Sequence, residues 1–194
     1  MRVGIFGGTF NPVHKGHILL AQQAKKILKL DKVIFVPARV PPHKASAGII
    51  DSAKRFHMIK LAIVGKSGFK ISRYELGKKG KAYSVDTVRH FRKILPKKTR
   101  LYFLAGADII NNVTSWKESK KLFALCDFII LSRSGFGLEA KGAGFKMLDA
   151  KTLDVSSTMV RGLLQENKPV TGLVPRLVED YIIRKGLYRK ASAL

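Results

Sequence analysis

Apolar positions along the chain follow two alternating patterns. Short runs recur at residues 3–6, 33–36, 69–71, 101–105 and 128–131, each of the length of a buried strand. Between them, longer segments carry apolar residues three or four apart: Ile18, Ala21, Ala24 and Leu28; then Phe56, Ile59 and Ile63; then Val85, Val88, Phe91 and Leu95. Each set shares one face of a helix. Strand and helix in alternation predict an α/β fold, doubly wound, with a mostly parallel sheet and helices on both faces. In such a sheet, ligands bind beyond the carboxyl ends of the strands.

The last third has a different pattern. Residues 153–165 and 174–185 read as two consecutive helices with no long strand between them, giving a C-terminal helical segment from about residue 153. Ser156 or Ser157 can cap the first, and Gly186 stands where a helix-terminating glycine belongs. The Gly-rich piece at 134–144 reads as a loop. With no repeat and no compositional break, the expectation is a single domain over residues 1–194.

Composition narrows the chemistry. At 46% hydrophobic residues the chain is too apolar for a disordered protein. Thirty-seven Lys and Arg against thirteen Asp and Glu give a net charge of +24, so the surface should attract anions: nucleic acid, acidic lipid or phosphorylated metabolites. One cysteine, Cys126, excludes an internal disulfide and a multi-cysteine zinc cage and suits a reducing compartment. No apolar stretch approaches the ~20 residues that span a bilayer, and the first residues lead into a strand pattern rather than a secretion signal. A cytoplasmic location without a membrane partner is expected.

The chemistry concentrates in GGTFNPVHKGH, residues 7–17, between the first strand and the first helix. Gly7 and Gly8 are expected to let the backbone turn tightly and approach a ligand, and the helix that follows offers unpaired N–H groups to a phosphate. His14 and His17, three apart, can reach the same atoms if the helix has begun. They could be metal ligands, phosphate donors, or a cap and a core residue; no carboxylate, cysteine or third histidine lies close by to complete a zinc shell. Lys44 follows Pro41, Pro42 and His43 on a stiff loop, where it could reach a ligand or simply be solvated. Ser156, Ser157, Thr158 and Arg161 form a second hydroxyl-rich helix start suited to phosphate, or only a good cap. Trp116 follows Gly106, Ala107 and Asp108 after the fourth strand; its polar neighbours favour a rim position, where the ring could stack on a base or pyridine.

GGTFNPVHKGH and SSTMVR together resemble the paired signatures of the nucleotidyltransferase superfamily, HKGH standing for its (T/H)xGH motif. Within it the chain is most similar to the bacterial nicotinate-nucleotide adenylyltransferases, which make deamido-NAD from nicotinate mononucleotide and ATP. The resemblance extends through VPARVPPHK, DSAKRFHMIKLAI, YELGKKGKAYSVDT, FLAGADII with Trp116, LSRSG and LVPRLVEDYIIRKGLY. It implies a Rossmann-like fold, with ATP bound by Gly7, Gly8, Thr9, Phe10, His14, His17, Arg133, Ser157, Thr158 and Arg161. Of these, His14, His17 and Arg161 are implied to be catalytic. Lys44, Ser84, Asp108, Trp116 and Lys117 are implied to bind the second substrate, Trp116 by stacking on the pyridine and the backbone at Ser84 and Lys117 by meeting its carboxylate. Magnesium is implied only as a companion of the ATP phosphates, without protein ligands. Two positions depart from the commonest pattern: Asn11 stands for a frequent Asp, and Lys117 for a frequent aromatic.

The competing reading is a nucleic-acid-binding protein, supported by charge alone. No helix-turn-helix with a basic reading face, zinc knuckle or aromatic RNA-binding signature accompanies it. No specific nucleic acid is therefore expected, only weak nonspecific RNA binding; a homo-oligomer stays open.

Overall fold

The computed structural model describes residues 1–39, 48–78, 80, 82–110, 112–132, 140–141, 144–151 and 153–189. Its first five strands are the five apolar runs: β1 (Arg2–Gly8), β2 (Lys32–Pro37), β3 (Phe69–Ile71), β4 (Arg100–Gly106) and β5 (Asp127–Ser132). Two more complete the sheet, β6 (Ala140–Lys141) and β7 (Phe145–Asp149), in the order β3-β2-β1-β4-β5-β7-β6. All pairings are parallel except that of β6 with β7. The sequence pattern missed β7, because Lys146 interrupts the run of Phe145, Met147 and Leu148.

The helices are α1 (Lys15–Ile27), α2 (Ser52–Ala62), α3 (Ser84–Ile94), α4 (Ser119–Leu125), α5 (Ser157–Gln165) and α6 (Arg176–Arg184). Alternate strand residues feed two cores. Phe6, Phe35 and Leu104 pack with residues of α1, α2, α5 and α6, whereas Ile5, Val36 and Phe103 pack with those of α3 and α4. The C-terminal helices thus bury their apolar faces in the core that α1 covers, which places SSTMVR against the turn after β1.

Both C-terminal caps expected from sequence are present. Ser156 Oγ accepts from the Met159 N–H at 3.1 Å, and Gly186, at φ 56°, follows α6 while the Leu187 N–H returns to the Ile182 carbonyl. On α2 the expected apolar face is rotated: the buried positions are Arg55, Met58, Ile59 and Ala62, and Phe56 is only half-buried.

From β1 the chain winds outward to β2 and β3, then returns to lay β4 on the other side of β1. The crevice beyond the carboxyl ends of β1 and β4 is the point at which the winding reverses, where ligands bind in sheets of this kind. Residues 7–17 and Gly106 open directly onto it.

Candidate active site

A cavity of about 890 Å³ occupies that crevice. Gly7, Gly8, Thr9, Phe10, His14 and His17 line it together with Ser157, Thr158 and Arg161, brought by α1 and α5 from one face of the sheet. Ser84, Trp116 and Lys117 line it from the α3 and α4 side. Residues from the two ends of the chain thus share one space. Asp108 lies on a short 3-10 turn, Ala107–Ile109, whose ends adjoin the cavity, but its side chain is outside the description. Lys44 and Arg133 fall outside the described residues.

On the first wall, His14 occupies the N-cap of α1 with extended backbone (φ −134°, ψ 172°). Its N–H donates to His17 Nδ1 at 3.2 Å, and the two rings lie 3.7 Å apart. An Nδ1 that accepts a hydrogen bond leaves the ring hydrogen of neutral His17 on Nε2, which makes that atom a donor for an anionic oxygen. Gly16 is required by this pair: a Cβ there would stand 2.9 Å from His14 Nδ1 and 3.1 Å from Val155 Cγ1. The glycine of HKGH therefore makes room for the first histidine, against a helix-propensity cost of about 1 kcal/mol.

Gly7 and Gly8 do not form the turn, contrary to the expectation from sequence. They are the last two residues of β1, and a Cβ on either would press into the ring of Phe103 or Phe10. The left-handed residue of the loop is Phe10, at φ 50°, followed by a cis peptide between Asn11 and Pro12. Phe10 is buried, its ring edge-on to that of His17 at 5.0 Å.

Beneath the loop, Asn11 connects four segments. Its Nδ2 donates to the Gly48 carbonyl at 2.8 Å, while its Oδ1 accepts from the Tyr188 hydroxyl at 3.0 Å and the Ile50 N–H at 3.3 Å. Its own carbonyl accepts from Arg161 Nη1 at 2.9 Å. An ionised aspartate, which cannot donate, would lose the bond to Gly48. Ser157 Oγ donates to the Pro12 carbonyl at 2.9 Å, and Arg161 Nη2 to Thr158 Oγ1 at 3.3 Å. Arg161 and Ser157 thus brace the loop as well as facing the cavity.

Sequence reasoning missed Arg55. Fully buried, it donates to the carbonyls of Thr9 and Ala38 at 2.7 Å, Arg39 at 3.0 Å and Ile50 at 3.1 Å. Burial draws its pKa down from the ordinary guanidinium value, against the fields of Tyr188 and Asp51. One cation thereby joins the turn after β1, the end of β2 and the entry to α2. Its position on an apparently solvated stretch of DSAKRF concealed this.

The second wall is built differently. Ser84 is the first residue of α3 and lines the cavity, and the N-cap Tyr83 supplies no side-chain cap to the first N–H groups of the helix. Trp116, half-buried, meets Phe128 edge-on with centroids 6.0 Å apart. The Lys117 ammonium lies 4.5 Å from the centre of the Tyr83 ring, a cation–π contact that bridges the two segments. Glu75, another residue the sequence did not single out, lines the same wall; it is 6% exposed and accepts from Thr87 Oγ1 at 2.5 Å. Burial pushes the Glu75 carboxyl up, a change the Thr87 bond and Lys78 oppose. Among the described residues no group of three His, Cys, Asp or Glu could hold a metal ion.

The cytidylyltransferase-like family pattern matches residues 5–163. A "Probable nicotinate-nucleotide adenylyltransferase" of Thermus thermophilus is 40% identical over 189 residues, covering 97% of this chain and all of that one. Its namesake in Moorella thermoacetica is 39% identical over 199 residues, covering 97% and 92%. Among solved structures, the Plasmodium falciparum nicotinic acid mononucleotide adenylyltransferase complexed with NaAD superimposes with a TM-score of 0.77 at 20% identity, over 96% of this chain and 97% of its own. A putative nicotinate-nucleotide adenylyltransferase of Vibrio parahaemolyticus gives 0.74 at 18%, over 98% and 96%. At such identities the superpositions speak for the fold, and the full-length relatives for the lineage: the chain belongs to the cytidylyltransferase-like family and, within it, to the nicotinate-nucleotide adenylyltransferases.

Proposed function

We propose that the protein transfers AMP from ATP to nicotinate mononucleotide, giving nicotinate adenine dinucleotide and pyrophosphate. The observation that carries this reading is the cavity at the reversal of the sheet, in which HKGH and SSTMVR meet on one wall and Ser84, Trp116 and Lys117 form the other. ATP is assigned to the first wall, with His14, His17, Ser157, Thr158 and Arg161 toward its phosphates and Gly7, Gly8, Thr9 and Phe10 beneath. Nicotinate mononucleotide is assigned to the second, the Trp116 ring stacking on the pyridine. Lys44, Arg133 and Asp108 keep the nucleotide-facing roles that the resemblance implies.

In the reaction a phosphate oxygen of the mononucleotide attacks the α-phosphorus of ATP, forming one P–O bond as the bond to the pyrophosphate oxygen breaks. The attacking oxygen is already anionic at neutral pH, so no base has to remove a proton. The protein's task is to align two polyanions and offset their repulsion. His17 Nε2–H, the Arg161 guanidinium and the N-termini of α1 and α5 supply that offset. Magnesium is assigned to the ATP phosphates, as the resemblance implies, and no protein ligand is given to it.

Residues 1–194 act as one nucleotidyltransferase domain in this reading, supported by the core that α5 and α6 share with α1. No helix among the described residues is long and apolar enough to cross a membrane; a cytoplasmic location is part of the proposed reading. Pyrophosphate release measured with nicotinate mononucleotide, nicotinamide mononucleotide and phosphopantetheine tests the assignment. Turnover with the first at the highest kcat/KM is expected; preference for phosphopantetheine, or no turnover with any, contradicts it.

A further inference from the structure

Arg89 and Glu118 lie outside the cavity lining, yet each is attached to a group that forms the proposed pyridine wall. Arg89 stands on α3 one and a half turns after Ser84, and Glu118 directly follows Trp116 and Lys117. Their side chains meet as a fork: Arg89 Nη2 to Glu118 Oε2 at 2.7 Å and Nη1 to Oε1 at 3.3 Å. Lys121 Nζ adds a second contact to Oε2 at 2.7 Å, and Asp86 Oδ1 accepts from Arg89 Nη1 at 3.5 Å. Glu118 itself is left-handed (φ 52°, ψ 41°), a conformation unfavourable for a non-glycine residue that persists where its surroundings hold it.

The 112–118 turn is fixed internally by the Ser119 N–H on the Trp116 carbonyl at 3.1 Å and by Ser119 Oγ on the Thr114 carbonyl at 2.8 Å. Those bonds give the turn its shape but do not locate it relative to α3. Among the described polar contacts, the two that cross from α3 and its cap to residues 116–118 are the Arg89–Glu118 fork and the Lys117–Tyr83 cation–π contact. The fork is the directional one, since a guanidinium and a carboxylate fix both separation and orientation.

We infer that the Arg89–Glu118 pair is a positioning device for substrate recognition: it holds the Trp116–Lys117 backbone at a set distance from the N-terminus of α3, so that the Ser84 and Lys117 N–H groups receive the two oxygens of one carboxylate. Among the described residues neither N–H donates a hydrogen bond within the protein. The inference rests on the proposed function, because it assumes that the ligand's pyridine carries a carboxylate. Both partners are partly exposed, with side-chain exposures of 38% and 27%, so the pair contributes little to folding stability. Its effect falls on geometry. The Arg89 bond, then that of Lys121, hold the Glu118 carboxyl down to about 2, and the fork stays ionised from pH 5 to 9.

The test measures steady-state kinetics for the wild type, Arg89→Ala, Glu118→Ala, the double variant and Arg89→Lys, each with nicotinate mononucleotide, its amide and varied ATP. Either alanine variant is expected to raise KM for the acid about tenfold, with kcat, KM for ATP and melting temperature nearly unchanged. The acid-over-amide ratio should fall by about as much, at every pH from 6 to 9. The double variant should be no worse than the poorer single, and Arg89→Lys, which keeps the charge but loses the fork, should fall between. Additive losses, or alanine variants that change melting while leaving KM for the acid and the acid-over-amide ratio intact, overturn the inference. A wild type inactive on nicotinate mononucleotide fails earlier and differently: the proposed function is then wrong and the inference falls with it.

Discussion

On the wall formed by α1 and α5, the chain segments are held by groups with several partners: buried Arg55 on four carbonyls, buried Asn11 through four hydrogen bonds to three other segments, and the two histidines on each other. On the wall formed by α3 and the 112–118 turn, the polar cross-links among the described residues are a partly exposed ion pair and a cation–π contact at the rim. The first arrangement suits a wall that must hold charge still while phosphorus is transferred, because misplacement there is costly in rate. The second suits a wall that tells one substrate from another. Rate and specificity are thus assigned to different faces of one sheet.

If the first wall is a rigid seat, breaking its support should cost more than any change at the rim. Arg55→Met removes four hydrogen bonds from buried carbonyls, for an expected loss of about 3–5 kcal/mol. In a chain of this length, that lowers the melting temperature by roughly 6–20 °C in a thermal scan. Next comes His17→Ala, which should melt close to wild type yet lose about a hundredfold in kcat/KM, the effect of removing one transition-state donor. A near-normal rate for a folded His17→Ala protein would take His17 out of the phosphate site. Arg161→Lys should cost about tenfold, because a point charge cannot serve both the Asn11 carbonyl and a phosphate; unchanged kinetics would leave Arg161 only a structural brace.

The smallest effect is expected on the second wall and concerns pH. Burial raises the Glu75 pKa above its unfolded value of 4.5, so between the two values the native state keeps a proton that the unfolded chain has lost. Stability contributed by the neutral form is present below that unfolded value and declines as pH rises through the folded one. Glu75→Gln keeps an acceptor for Thr87 and does not titrate, so its stability should decline less over the same window. Equal slopes for wild type and variant in denaturant unfolding at stepped pH would show that Glu75 is not desolvated.

The legibility of the two walls follows the same division. HKGH, SSTMVR and the strand–helix alternation lie in contiguous residues: local spacing places HKGH at the carboxyl end of the first strand, and the resemblance brings SSTMVR to the same site. The supports are relations between distant residues: Asn11 with Tyr188, Arg55 with Thr9, Arg89 with Glu118. No periodicity encodes such pairs. Arg55 was further hidden because a charged side chain is rarely buried unless its donors are satisfied, and the partners that satisfy it come from three other segments. Gly7 and Gly8 were misread for a related reason: glycine signals either a turn or a close approach, and which applies depends on rings that arrive from residues 10 and 103.

The division of labour between the walls is tested most directly by the ratio of kcat/KM for nicotinate mononucleotide to that for its amide, measured in the wild type and in His17→Ala. An amide can satisfy only one of two N–H donors, and a charge-assisted bond contributes about 1.5–3 kcal/mol, so the wild type should favour the acid by about ten- to a hundredfold. In His17→Ala both constants should fall together and the ratio should stay as it was. Comparable constants for acid and amide in the wild type, or a ratio that collapses when only His17 is changed, would contradict the account.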